Sequence, residues 1–374
     1  MAFDYKKADS QAVRVVPMRP EEFPFDVHEQ YEAVRLERCR SFWGAKEGVL
    51  VYRRMRVGEC FSAGCADAGQ SLRLQLGALK AGMDYPGDVP NFLEPWYGIG
   101  TLASAFGAEY EWPLGQAPAV KSRFMSVREA LAFPCGPVAE TVIGRRTLET
   151  IAMFLHETSG RLPISLTDTQ SPLNAACMLV DTSNFLLDCI DEPDAVRTFL
   201  GRLADLQVEF VRKQQGLIGE ALVWPGHGFA SSRVFSGLGQ SDDNLLMMSN
   251  EMYFDIAAPS LCASGKPFGG PVFHSCGKWA EKLPIIRHLP GIRMVDAAFG
   301  ELTDPNPNPV EPFAEALAGT GIVLNARIVG TPDYVVEIVR KLWASGMRLI
   351  VVSYCETPGE QAEVYKRVHD VCGC

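Results

Sequence analysis

The chain has 374 residues, 47% of them hydrophobic, and a formal net charge of -10. That size and composition bury a large core and describe one sizeable globular unit with an accessory segment. An acidic chain without any long run of Lys or Arg offers no footprint for a phosphate backbone, so nucleic acid is excluded as an expected partner.

The N-terminus, Met1 to Lys7, lacks the apolar core of a signal segment, and no later stretch approaches the ~20 apolar residues of a membrane span. A cytoplasmic location and no membrane partner are therefore expected. Asp26 to Trp43 is charged and helical in pattern, and residues 1–48 read as an N-terminal helical extension. Val49 to Met55 is the first strand. From Asp84 to Pro118 Pro, Gly and aromatics concentrate, which suggests an ordered excursion over the mouth of the fold. Beyond residue 160 the chain alternates short apolar runs with amphipathic ones. Leu162 to Leu166 reads as a strand, Asp194 to Ile218 as a helix, Ala221 to Trp224 as a strand and Glu251 to Ala263 as a helix. Val272 to His274, Arg293 to Val295, Ile322 to Leu324 and Leu349 to Ser353 follow as strands. The helices after them are Lys278 to His288, Val310 to Leu317, Pro332 to Ala344 and Pro358 to Val371. Continuous apolar strands alternating with helices imply a parallel sheet covered by helices. With one further strand hidden before residue 160, the count approaches eight. A (β/α)8 TIM barrel over residues 49–374 is expected, because no Gly-rich dinucleotide fingerprint follows any strand.

In that fold, chemistry gathers where strands end. The proposed strands end on Asp168, His227, His274 with Cys276, Asp296, Asn325 and Cys355. Strand-end Asp and Asn also serve as turn formers and helix caps, so the collective pattern carries more than its members. Imidazole and thiolate are preferred zinc ligands, and His274 and Cys276, two apart in an extended chain, face the same side. The same residues also fit a hydrogen-bonded core histidine and small buried cysteines. Eleven cysteines at irregular spacings do not form a secreted disulfide framework. Cys372 and Cys374, close to the C-terminus, read as incidental.

The stretch Ser241-Asp242-Asp243-Asn244-Leu245, then Ser249 to Phe254, Pro259 and Gly269 to Gly277, resembles the uroporphyrinogen decarboxylase superfamily. Within it the likeness is to the zinc-dependent methylcobamide methyltransferases. Trp96 to Gly100, Thr182 to Asp188 and Gly330-Thr331-Pro332 support it. The resemblance implies a (β/α)8 barrel and a zinc site formed by His274, Cys276 and Cys355. The fourth position is open or filled by a nearby carboxylate: Asp296, at the end of the next proposed strand, is the candidate, with a capping or hydrogen-bonding role as its alternative, and Glu301 is a weaker substitute. It also implies a corrinoid (cobalamin) carried by a separate partner protein. The methyl group would pass between that corrinoid and a small thiol acceptor or methoxylated donor. His227, Asp168 and Asn325 are the candidate catalytic groups, and Trp96, Tyr97, Trp224 and Phe229 the candidate pocket walls. The superfamily's decarboxylases carry an arginine-rich motif near the first strand. Here that strand reads Val49 to Arg56, without the motif, so decarboxylase residues are not carried over. A metal-free decarboxylase acting on a carboxylated substrate, and a corrinoid-binding barrel without turnover, are the alternatives.

Overall fold

The computed structural model describes residues 13–373, so Met1 to Lys7 and Cys374 lie outside the described residues. Its strands in chain order are β1 Gly48–Arg53, β2 Tyr110–Glu111, β3 Ala119–Val120, β4 Leu238–Ser241, β5 Pro271–His274, β6 Met294–Phe299, β7 Val323–Ile328 and β8 Arg348–Ser353. Six of them form one parallel sheet in the order β1-β8-β7-β6-β5-β4, while β2 and β3 make a separate antiparallel pair.

Three shorter extended segments complete the wall. Leu93 bridges Ile164, and Ile164 bridges Leu222, both in parallel. The Gly239 amide then donates to the Pro225 carbonyl at 3.0 Å, joining this arc to β4. At the other seam a side chain does the work of a ladder. Asn91 Oδ1 accepts from the Met55 amide at 2.9 Å and from the Tyr52 hydroxyl at 3.0 Å, and its Nδ2 donates to the Arg53 carbonyl at 3.0 Å. The result is a (β/α)8-type barrel, as expected from the sequence. Leu162 to Leu166 and Ala221 to Trp224 are held by isolated bridges instead of regular strands. The strand hidden before residue 160 is centred on Leu93, inside the stretch read as an excursion over the mouth.

The Leu222 segment leads into a loop that folds back to pair Trp224 with Ser232, not into a helix. Strand β4, short and containing Gly239 and the polar Gln240 and Ser241, carried no apolar signal and was missed. Helices also cover the less legible region, among them Ala68–Gly82, Val142–Glu157 and Pro172–Leu179. The expected helix Glu251 to Ala263 is broken by a π-helical turn, Tyr253–Ala257. Lys278 to His288 contracts to a 3-10 turn, Ala280–Lys282, and the short helix Leu283–Ile286.

Helix Phe25–Gly44 lies across the N-terminal end of the barrel strands. Its Cys39 and Phe42 pack with Leu50, Val272, Met294, Val323 and Ile350 from the barrel interior. Arg348 Nη2 donates to the Phe42 and Trp43 carbonyls at 3.1 and 2.9 Å, which satisfies the C-terminal end of this helix. One end of the barrel is thereby plugged, and chemistry is left the other.

Candidate functional site

Strand alternation decides which side chains enter the barrel. In the register Ser241, His274, Asp296, Asn325, Ile350 and Leu50 are successive neighbours across six strands. One step toward the strand ends, Ala298, Arg327, Val352 and Tyr52 form the next row. Four polar residues thus stand side by side in a row completed by the aliphatic Ile350 and Leu50.

Asp296, fully buried, organises them. It accepts from His274 Nδ1 at 2.6 Å, from Arg327 Nε at 2.8 Å and from Asn325 Nδ2. Burial disfavours its charge, but Arg327 and His274 outweigh that effect and hold its pKa below the usual carboxylate range. Burial likewise opposes an imidazolium at His274, yet Asp296 and Cys276 hold that pKa up at about 10. With Asp296 on Nδ1, the other nitrogen, Nε2, is turned outward to the mouth.

Opposite Nε2 are two further donors. Cys276 Sγ is 3.4 Å away and Asp243 Oδ1 3.9 Å away. The Cys276 amide donates to Asp243 Oδ1 at 2.6 Å, which ties the two loops together. Among the described residues, the ligand atoms of Asp243, His274 and Cys276 all lie within 4.8 Å of one another. One nitrogen, one sulfur and one oxygen donor on a half-open rim match a three-ligand zinc site that leaves a position for a reactant.

Two of the expected ligands fall outside this cluster. Cys355 belongs to the outward-facing set of its strand, with Leu349, Val351 and Ser353, and packs with Val49, Val51 and Val364 beneath the helices. Its neighbour Tyr354 takes the inward position. Burial pushes the Cys355 thiol up to about 12, against the thiolate a ligand requires. Asp296 grips the far nitrogen of His274 and orients it. Asp243, which stands two residues past the unrecognised strand β4, is the third member of the cluster, where the sequence reading expected Cys355. Its signal was the acidic pair after Ser241, legible only once β4 is known to end there. Glu301 is exposed.

The other half of the mouth carries a second carboxylate and histidine pair. Glu94 Oε2 accepts from His227 Nδ1 at 2.6 Å, and Arg54 Nη2 stands 3.8 Å from Glu94 Oε1. Burial raises the Glu94 pKa, but His227 and Arg54 carry it below its ordinary value. His227 Nε2 faces Asp168 Oδ2 at 3.7 Å. Its ring stacks on Trp96 and lies tilted against Phe61. Gly226 and Gly228, with φ of 110° and 84°, supply the backbone turns that fold this loop back over the rim.

Amide side chains connect the halves. Gln170 Nε2 donates to both oxygens of Asp168 at 2.9 and 2.8 Å, and Asn174 Nδ2 donates to Gln170 Oε1 at 2.8 Å and to Asp243 Oδ2 at 3.1 Å. Gln170 is held at φ 59°, an uncommon conformation for a residue with a side chain, fixed here by its own grip on Asp168. Asn325 is a positioning group. Besides Asp296, its Oδ1 accepts from the Ala230 amide at 3.3 Å, and the residue is fully buried. Of the candidate walls, Trp96 and Phe229 face site residues, Phe229 edge-on to His274. Tyr97 instead donates to or accepts from Thr150, in a separate core cluster, and Trp224 stacks on Phe268.

Residues 49–224 match the family model for uroporphyrinogen decarboxylase (URO-D), in agreement with the superfamily resemblance read from the sequence. A methyltransferase from Methanosarcina mazei superposes with a TM-score of 0.63 at 14% identity, over 91% of this chain and 99% of that one. This shared architecture establishes the fold. A β-methylaspartase from Clostridium tetanomorphum aligns over 62% of this chain and 48% of its own at 14% identity, with a TM-score of 0.31. No curated protein matches the chain.

Proposed function

We propose that this uroporphyrinogen-decarboxylase-like barrel is a cytoplasmic methyltransferase. It would move a methyl group between a corrinoid, carried by a partner protein, and a small thiol acceptor or methoxylated donor, using a zinc ion held by Asp243, His274 and Cys276. The observation that carries this reading is the convergence of those three ligand atoms within 4.8 Å at the open end of the barrel. The fold shared with the Methanosarcina mazei methyltransferase supports it.

When bound, zinc supplies Lewis acidity toward a thiol sulfur or an ether oxygen. The protein's own groups prepare the place. Asp296 fixes the tautomer and ring plane of His274 so that Nε2 is the atom presented, and Asn325 and Arg327 keep Asp296 from turning. The Cys276 amide keeps the Asp243 carboxylate beside the thiol. Across the mouth, His227 Nε2 is positioned to hold a proton for the leaving or entering group, with Glu94 stabilising the imidazolium that results. Trp96 and Phe61 pack against that ring.

Elemental analysis of the purified protein and four variants tests the ligand set. About one zinc per chain is expected, lost in Asp243→Ala, His274→Ala and Cys276→Ser and retained in Cys355→Ser. Loss in Cys355→Ser with retention in Asp243→Ala would restore the ligand set implied by the resemblance. Absence of zinc from the reconstituted protein, together with no demethylation of methylcobalamin, would remove the proposed function and favour a metal-free decarboxylase.

A further inference from the structure

Two polar atoms deep in the mouth take no part in the network described above. Among the described residues, Arg327 Nη2 is buried and makes no hydrogen bond, and the Tyr354 hydroxyl is buried with only the Arg54 guanidinium against it, an acceptor contact that leaves its own proton to donate. Both side chains are nine-tenths or more enclosed: Tyr354 is 1% exposed and Arg327 8%. A buried donor without a partner costs on the order of 1–3 kcal/mol, and more for a charged group, so such atoms call for an explanation.

Their placement supplies one. Arg327 is on β7, paired across to Val352 of β8 and through it to Tyr52 of β1. Tyr354 and Arg54 each lie two residues beyond that row, on the inward face of adjacent strands, so Arg54 and Tyr354 share the next row toward the opening. Arg54 and Arg327 both feel the Tyr354 hydroxyl electrostatically. Three donors therefore line one wall, β7 to β8 to β1, beside the metal-ligand cluster on β5 and the loop after β4.

Neither arginine is neutralised by a carboxylate of its own. Asp296 is divided between Arg327 and His274, and Glu94 between Arg54 and His227. Arg327 commits Nε to Asp296 and leaves Nη2 buried without a partner, with Tyr354 near the guanidinium. A planar guanidinium edge beside a hydroxyl donor suits a carboxylate better than a neutral group. The walls around it are aromatic, with Phe229 edge-on to His274 and Trp96 against His227.

We infer that the small methyl donor or acceptor carries a carboxylate, which Arg327 Nη2, the Tyr354 hydroxyl and Arg54 receive. The inference names the substrate class of the site in Proposed function and rests on that reading for its chemistry. Its binding test does not.

Benzoate is the probe, with benzamide as its uncharged counterpart and inorganic phosphate as a competitor, measured by titration calorimetry on the full chain. The expected result is a preference for benzoate over benzamide of about tenfold or more, reduced at least tenfold in Tyr354→Phe and in Arg54→Gln. Zinc content stays unchanged in both variants. Tyr354→Phe removes only a hydroxyl, so it should fold. If that hydroxyl is merely structural, the variant leaves benzoate affinity unchanged, and this overturns the assignment. Equal binding of benzoate and benzamide overturns it also, as does phosphate displacing benzoate at equal concentration, which would mark a general oxyanion site. Benzoate preference in a protein that holds no zinc would sustain the pocket and overturn the methyl-transfer reading. Zinc present without benzoate preference would do the reverse.

Discussion

Asp296 and Glu94 illustrate how one functional group, a buried carboxylate, serves two halves of a site. Each is a buried carboxylate shared by an arginine and a histidine, and each depends on those partners to offset desolvation. His28 shows the opposite case, a buried titratable side chain without a carboxylate partner. It is 1% exposed, near Phe23 and Tyr31, and its Nδ1 makes no hydrogen bond among the described residues. Burial, aided by Arg233 and Arg35, lowers its pKa to about 4. An unfolded histidine titrates near 6.5. Between about pH 6.5 and 4 the unfolded chain binds the extra proton, so the stability His28 contributes is complete above that window and is lost as pH falls through it. Urea unfolding of the wild type and His28→Phe at pH 7.5, 6 and 4.5 checks this. The wild type should lose up to about 3 kcal/mol relative to the variant on acidification. A constant difference between the two proteins would contradict the argument.

Elements carry the site only as well as their ends are fixed. Helix Pro358–Cys372 begins directly after the loop that holds Tyr354 and Cys355, and a capping box secures its start. Thr357 accepts from the Glu360 amide, and the Glu360 carboxylate accepts from the Thr357 amide. Gln361 then reaches back to Ser353 Oγ at 2.8 Å and the Pro86 carbonyl at 2.9 Å, fastening the helix to β8. Thr357→Ala should cost about 1 kcal/mol in chemical denaturation. Because the Gln361 contacts remain, zinc content should not change. The end of this helix also settles Cys372, which is buried in the main core and not on a frayed terminus. The π-helical turn Tyr253–Ala257 has a comparable role on the other side. It carries Tyr253, whose hydroxyl donates to Asp242 Oδ2 at 2.6 Å directly behind Asp243. Asp242, buried and also bonded to Ser171, has a pKa pushed up to about 6 by desolvation.

At the scale of the whole molecule, closure of the barrel rests on Asn91. The seam between β1 and the Leu93 segment has the Asp88 amide on the Val51 carbonyl at 2.7 Å, the Val51 amide on Asp88 Oδ2 at 2.8 Å, and the three Asn91 contacts. Asn91→Ala would strand the Met55 amide, the Arg53 carbonyl and the Tyr52 hydroxyl in a dry wall. A destabilisation of about 2–4 kcal/mol is expected from guanidinium unfolding, with weaker benzoate binding because Arg54 loses its anchored strand. Among the described residues no helix is long and apolar enough to cross a membrane.

How much of this was legible depended on the length of each signal. Strands β5 to β8 are almost wholly buried and read as apolar runs, so the end of β5 delivered His274 and Cys276 directly, whereas Asp296 and Asn325, read as strand ends, are the third residues of β6 and β7, whose ladders run on to Phe299 and Ile328. The Leu93 segment and β4 were invisible because one is held by single bridges and a side chain, and the other contains Gly239, Gln240 and Ser241. Asp243, Glu94 and the depth of Asp168 went unread with them. The alternation of apolar and amphipathic runs alone determined that this chain forms a parallel barrel with polar strand ends, since burial enforces that pattern locally. Only tertiary structure decided which polar ends meet. Register sets His274, Asp296 and Asn325 in one row, and strand alternation turns Tyr354 inward and Cys355 out. Those outcomes depend on neighbours distant in sequence, and no local pattern encodes them.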